Sequence, residues 1–346
     1  MTPDSPAGGY GPSGGRIVAS SRGRVSGTEF YESLVGVRGE LGAPHLSPLP
    51  ELPERGFAAT RTARTIASLE ELYADGQPFG WRLGARPSKE SRAAASRLHS
   101  DINILADVVG SAGRGHRGHT VVTLTGPVSL AAELKLWNGE AVLSDHGARR
   151  ELADSLCEGL GSLTQALRTA VDGEEVTIRW CEPDLGRALA GRIPTSSGYR
   201  TLRSIPRAEA RNALAELAEA AHRHGVGSVI DVGGPVPDME FGQFFDAVAA
   251  RPHGRGAEEW ERIAGAVDRG QSVWLGVTGS EARDQTVETI RSFWRTWRDL
   301  GLGAQELAKV TVEEEDDLST VSPERGLTVQ ARSAAIAEGL LELSRE

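Results

Sequence analysis

Short β-rich runs alternate with longer helical stretches eight times along this chain, and no other feature restricts its fold as strongly. The runs fall at 17–20, 78–83, 120–125, 176–181, 228–232, 244–249, 272–277 and 309–313. Amphipathic helices are predicted between them. Leu98, Ile102 and Leu105 share one face of 88–109, and Leu152, Leu156, Leu160 and Leu163 form a stripe along 148–170. The stretches 209–224 and 281–300 run into Gly225 and Gly301, as helix ends commonly run into glycine. Strand-helix units in series place their strands parallel, and eight such units close a (β/α)8 barrel of the TIM type. A length of 346 residues suits one such domain with several long loops. The expected organisation is an α/β fold with a disordered tail over 1–15 and a single barrel domain over 16–346.

Charge and composition exclude several function classes. The formal net charge is −10 and the basic residues are scattered, which opposes phosphate-driven binding of nucleic acid. No apolar run approaches the roughly 20 residues that span a bilayer, so no membrane span is expected. The start, MTPDSPAGGYGPSGG, lacks the basic residues and apolar core of a secretory signal, and a cytoplasmic location is expected. Cys157 falls in a predicted helix and Cys181 ends a predicted strand, which argues for two reduced thiols rather than a disulfide. Pro44, Pro48, Pro50 and Pro53 mark 42–56 as an irregular loop.

In a barrel of this kind the reaction site lies where the strands end. Ser20-Ser21-Arg22-Gly23 follows the first run, Thr125-Gly126-Pro127 the third, Cys181-Glu182-Pro183-Asp184 the fourth and Asp231-Val232-Gly233-Gly234 the fifth. The candidate substrate-binding residues are Ser20, Ser21, Thr125, Gly126, Cys181, Glu182 and Asp231. Several of these allow a structural reading beside the functional one. Cys181 is either a relocated thiol ligand or nucleophile, or a small buried hydrophobe. Glu182 projects into the mouth, or pairs with a loop arginine. Asp231 binds a ligand amine or a cation, or caps the turn at Gly233 and Gly234. Thr125 and Gly126 offer a hydroxyl and backbone amides to a ligand, or simply turn strand into helix.

Other clusters are weaker. The acidic run 313–317 reads as a solvated loop, because adjacent like charges repel and lack the converging geometry a hard cation needs. His116 with His119, and His222 with His224, are spaced for a metal but lack a third ligand nearby. The first pair reads as a glycine-rich loop and the second as a helix end favoured by cationic histidine. Trp294 and Trp297 at helical spacing read as core, and the glycine patterns near Gly113 and Gly301 lack the context of a dinucleotide fingerprint.

The segments HLSPLPELPERG (45–56), FGWRL (79–83), TLTGPVSLAAEL (123–134), SDHGARRELADSL (144–156) and CEPDLGRALAGRIPTSSGY (181–199) carry a family resemblance. In order and approximate spacing they resemble the catalytic-barrel half of cobalamin-independent methionine synthase, particularly its short, single-barrel actinobacterial relatives. The resemblance covers most of the chain. It implies a (β/α)8 barrel, a fold shared with uroporphyrinogen decarboxylases. It also implies methyl transfer from a methylated folate to the sulfur of homocysteine, with zinc holding the thiolate.

The chain departs from that family at the chemical centre. A His-x-Cys pair ends the fifth strand in the family and a further Cys follows the last strand. Those first two positions read Asp231 and Gly233 here, and no cysteine occurs after Cys181. The family's Asp-Glu-Pro reads Cys181-Glu182-Pro183, which loses a contact to the homocysteine amino group. Its Gly-Ser reads Ser20-Ser21, which keeps a hydroxyl and N–H groups for a carboxylate. Zinc is thus expected of the family while its ligand motif is missing, and no metal ligand, cofactor or protein partner is assigned. Three readings follow. One is a methionine-synthase-type methyltransferase acting on a small thiol or amino-acid-like substrate. The second is an inactive paralogue kept as a small-molecule-binding or regulatory module. The third is a metal-free decarboxylase in which Arg22 and Arg24 fix substrate carboxylates.

Overall fold

The computed structural model describes residues 15–111, 118–252, 256–278 and 285–345. The expected tail, save residue 15, lies outside them, as do His116 and Gly113. The strands are β1 (Val18–Ala19), β2 (Ser47–Pro48), β3 (Tyr73–Gln77), β4 (Gly80–Gly84), β5 (His119–Thr125), β6 (Glu175–Cys181), β7 (Gly227–Asp231), β8 (Ala247–Ala250), β9 (Ser272–Thr278) and β10 (Val310–Glu314). Eight of them form one sheet in the order β1-β10-β9-β8-β7-β6-β5-β2, parallel throughout. Its two end strands also meet. The Leu46 N–H donates to the Ala19 carbonyl at 2.8 Å, and the Ser20 hydroxyl donates to the Leu46 carbonyl at 2.9 Å. The sheet is therefore curled on itself inside a shell of helices, consistent with a TIM-type barrel in a single domain.

The helices are α1 (Phe30–Glu40), α2 (Arg61–Ile66), α3 (Lys89–Ser111), α4 (Pro127–Glu133), α5 (His146–Val171), α6 (Leu185–Leu189), α7 (Arg207–Arg223), α8 (Met239–Gly242), α9 (Ala257–Asp268), α10 (Thr286–Asp299) and α11 (Pro323–Leu343). The predicted apolar stripes are the faces they bury. Leu152, Leu156, Leu160 and Leu163 on α5 are all buried, as are Leu98, Ile102 and Leu105 on α3. Asp145 starts α5 by accepting the Ala148 N–H at 2.8 Å. Trp297 on α10 is fully buried and stacks on Phe293, with ring centroids 5.6 Å apart.

One predicted barrel strand is misplaced. The run at 78–83 contributes β4, which pairs antiparallel with β3 in a separate hairpin, and its Trp81 stacks on Phe57 at 4.5 Å. The second barrel strand is β2, inside the proline-rich segment expected to be an irregular loop. Proline is tolerated there because the required donors are its neighbours. Leu46 donates towards β1 and Leu49 donates to the Val121 carbonyl at 2.8 Å, leaving Pro48 where no N–H is needed.

The barrel interior is filled rather than open. Val18, Leu46, Val121, Val229, Ala247, Ala249 and Trp274 form a small apolar cluster distinct from the larger core under the helices. Because side chains alternate along a strand, the inward set continues above that cluster to Thr125, Arg179, Cys181, Asp231 and Glu313.

Candidate functional site

Register aligns Thr125 with Cys181 and Cys181 with Asp231, so three candidate residues stand side by side at the carboxyl ends of β5, β6 and β7. Arg179 lies two residues before Cys181 and faces the same way. Its Nη2 is 2.7 Å from Asp231 Oδ2 and 2.8 Å from Glu313 Oε1, and its Nη1 bonds Glu313 Oε2. Arg251 adds a second guanidinium at 2.9 Å from Asp231 Oδ2, and the Gly233 N–H donates to Asp231 Oδ1 at 2.8 Å. Burial alone would push the Asp231 carboxyl up. Arg179, Arg251 and Arg22 outweigh it and hold the group far below the usual carboxylate range. Arg179 in turn stays charged, because Glu313 and Asp231 more than offset its burial.

Burying these charges is tolerable only because each is paired and hydrogen-bonded. The run at 313–317 is accordingly not a solvated loop at its start. Glu313 and Glu314 lie on β10 and are both fully buried. Strand alternation separates the two like charges, sending Glu313 to Arg179 and Glu314 to Ser21 and Arg22.

Cys181 is buried between Thr125 and Asp231. Burial pushes its thiol up, Arg61, Arg179 and Arg22 pull it down, Asp231 pushes it up, and the net direction is up. The group is a protonated thiol at neutral pH. A zinc ion does not fit this donor set, since both carboxylates on this face near the thiol, Asp231 and Glu313, are engaged by guanidiniums.

Glu182 turns away from this face. Its carboxylate accepts the Val128 N–H at 2.9 Å and both the N–H and hydroxyl of Ser129 at 2.7 Å. It thereby closes the start of α4, where no side chain of the helix's own cap does so. Burial pushes its carboxyl up to about 7 against the lowering effect of those bonds. Gly126 makes the room: a Cβ there would meet Glu182 Oε1 at 2.4 Å. The Ser20 hydroxyl is used in closing the sheet, and the Ser21 hydroxyl donates to Glu314 Oε1 at 3.0 Å. Arg24 pairs with Asp317 and lies 3.5 Å from Glu51. Arg22 donates through Nη1 to the Glu315 carbonyl at 3.3 Å.

The structure thus brings together Thr125, Cys181 and Asp231 and leaves Glu182, Gly126, Ser20 and Ser21 in supporting positions. Sequence reasoning missed Arg179, Arg251 and Arg61. Arg179 did carry a signal, since it occupies an inward position of an otherwise barrel-like strand, between Thr177 and Cys181. The histidines lie elsewhere. His119 bonds Thr177 Oγ1 at 2.8 Å at the opposite, amino end of the strands, beside a cavity of about 220 Å³, and His222 on α7 pairs with Asp246 at 3.1 Å.

No protein-family model and no curated protein matches the chain. Among solved structures it is similar to a B12-independent methionine synthase from Shewanella sp. W3-18-1 in complex with selenomethionine. The TM-score is 0.46 at 12% identity, over 80% of this chain and 76% of that one. It is also similar to a native Bacteroidetes-affiliated GH5 cellulase linked with a polysaccharide utilization locus, with TM-score 0.40 at 11% identity over 97% and 96% of the two chains. Among the described residues, no helix is long and apolar enough to cross a membrane.

Proposed function

We propose that this chain is a methionine-synthase-like barrel that binds a small amino-acid-like ligand at the carboxyl ends of its strands without zinc-assisted methyl transfer. The segments at 45–56, 123–134 and 181–199 support the family part of this reading. One observation carries the rest. Asp231, which stands where the family has a zinc-binding histidine, is ion-paired to Arg179 at 2.7 Å and to Arg251 at 2.9 Å. Zinc assists thiol chemistry by lowering the pKa of the bound thiol until a thiolate exists at neutral pH. Here the same place is filled by a buried ion-pair network, in which Arg179 and Arg251 engage the carboxylates that a metal ion would need as ligands. The chain is accordingly read as a binding or regulatory barrel that has kept the mouth and lost the metal.

The test is metal content by mass spectrometry on tag-free protein, joined to calorimetric titration of homocysteine with and without added zinc. Zinc well below one equivalent, and homocysteine binding indifferent to zinc, is the expected result. Stoichiometric zinc with zinc-dependent homocysteine binding would overturn the reading.

A further inference from the structure

Arg61 opens α2 and is held by its backbone, while its side chain has no hydrogen-bond or ion-pair partner among the described residues. The Arg61 N–H donates to Glu51 Oε1 at 3.2 Å. Its carbonyl accepts the Thr65 hydroxyl at 2.9 Å, and the same Thr65 oxygen accepts the Thr125 N–H at 2.9 Å. One threonine therefore ties the first turn of α2 to the end of β5, directly beside Cys181. Glu51, Glu133 and Asp231 all act on the Arg61 charge, and Cys181 lies within the same electrostatic reach.

None of those carboxylates takes the guanidinium. Glu51 lies by Arg24, Glu133 accepts the Thr62 hydroxyl at 2.5 Å, and Asp231 is held by Arg179 and Arg251. Arg61 Nε is buried without a hydrogen-bond partner among the described residues, although the side chain as a whole is only half-buried. A second orphan stands at the end of β5, to which Thr65 ties the Arg61 backbone. Thr125 is fully buried and its hydroxyl has no partner among the described residues either. Buried donors are normally satisfied; Arg179 Nε also lacks a hydrogen-bond partner, but that guanidinium is held by Asp231 and Glu313, so Arg61 and Thr125 are the donors that call for an acceptor from outside the described residues.

We infer that Arg61 and Thr125 form an oxyanion subsite, in which the guanidinium and the Thr125 hydroxyl both donate to a carboxylate or phosphate group of the ligand. Arg22, half-buried in the segment that follows β1, adds positive charge that reaches Cys181 and Asp231. The Cys181 thiol then lines the floor beneath the bound anion as a neutral contact. This inference rests on the reading of the strand ends as the ligand site, and it adds the chemical class of the group held there.

The experiment is calorimetric titration of the whole chain with three probes: inorganic phosphate, L-homocysteine, and the carboxamide of homocysteine, which lacks the carboxylate. Each is repeated on Arg61→Met, on Arg61→Gln and on Thr125→Val, with folding checked by circular dichroism. An anionic probe that binds the parent protein at least tenfold more tightly than it binds both Arg61 variants, and several-fold more tightly than it binds Thr125→Val, supports the subsite. Whether homocysteine or phosphate behaves so identifies the anion as carboxylate or phosphate. Homocysteine binding that is unchanged in both Arg61 variants, or matched by the carboxamide, overturns the subsite and leaves the proposed function standing. Arg61-dependent phosphate binding without any homocysteine binding supports the subsite and overturns the amino-acid-like ligand. No binding of either anion to the parent protein overturns both.

Discussion

Arg179 on β6 and Glu313 on β10 bond at 2.8 Å although three strands of the sheet, β7, β8 and β9, separate them. The contact crosses the barrel interior, and both side chains are fully buried. Removing one partner of such a pair strands the other charge, which typically costs about 3–5 kcal/mol. Arg179→Met is expected to lower unfolding free energy by that amount. The double variant Arg179→Met/Glu313→Met should lose less than the sum of the single losses, by more than about 1 kcal/mol. Urea denaturation of the four proteins measures the cycle, and strict additivity would show that the pair is not coupled.

Rewriting the metal motif should not restore metal binding. Gly233 has a φ of +84°, a left-handed conformation that a cysteine adopts only with strain, and Arg179 and Arg251 stay beside position 231. Asp231→His/Gly233→Cys protein is therefore expected to carry no stoichiometric zinc after dialysis against the metal. Mass spectrometry of the dialysed protein decides it.

Stability should fall as pH rises from about 4.5 to about 7. The Glu182 and Glu314 carboxyls are each pushed from 4.5 up to about 7 by burial, with Glu313 adding to the effect at Glu314. Across that window the native state keeps protons that the unfolded chain has released, so each group withdraws stability, by at most about 3 kcal/mol, until the curve levels above neutrality. Asp231 acts oppositely. Its lowered pKa contributes stability above the ordinary value of 3.8, lost as the pH falls below it. Glu314→Gln should flatten the decline between pH 4.5 and 7 by its share, read as urea midpoints across the range. An unchanged slope would refute the assignment.

Both thiols should resist alkylation. Cys181 is buried with its pKa raised, and burial pushes Cys157 up to about 12. Native protein at pH 8 is expected to take up iodoacetamide at least tenfold more slowly than urea-unfolded protein, followed by intact mass. Fast modification of Cys181 would indicate a thiolate and reopen nucleophilic roles for it.

Gly126→Ala tests the support beneath the site. The added methyl would press on Glu182 Oε1 and displace the carboxylate that closes the start of α4. A loss of about 1–3 kcal/mol is expected, as for other overpacked positions. A thermal melt indistinguishable from the parent would show that the helix start adjusts freely.

The barrel was legible because its causes are local and periodic. Leu152, Leu156, Leu160 and Leu163 reveal a buried helix face by their spacing alone, and the runs that became β5, β6, β7 and β9 carry their own β propensity. Strand β2 was not legible, because two residues among prolines have no periodicity and are strands only through their neighbours β1 and β5. The same division holds at the strand ends. The chain alone places Thr125, Cys181 and Asp231 at the ends of inward-facing runs. Only the closed sheet decides that Asp231 meets Arg179 and Arg251, that Glu313 reaches Arg179 from 134 residues away in the chain, and that Glu182 serves a helix instead of the mouth. The physical reason is range. Propensity and periodicity act between residues a few positions apart, whereas ion pairing and burial act between side chains that only the curvature of the sheet brings within bonding distance.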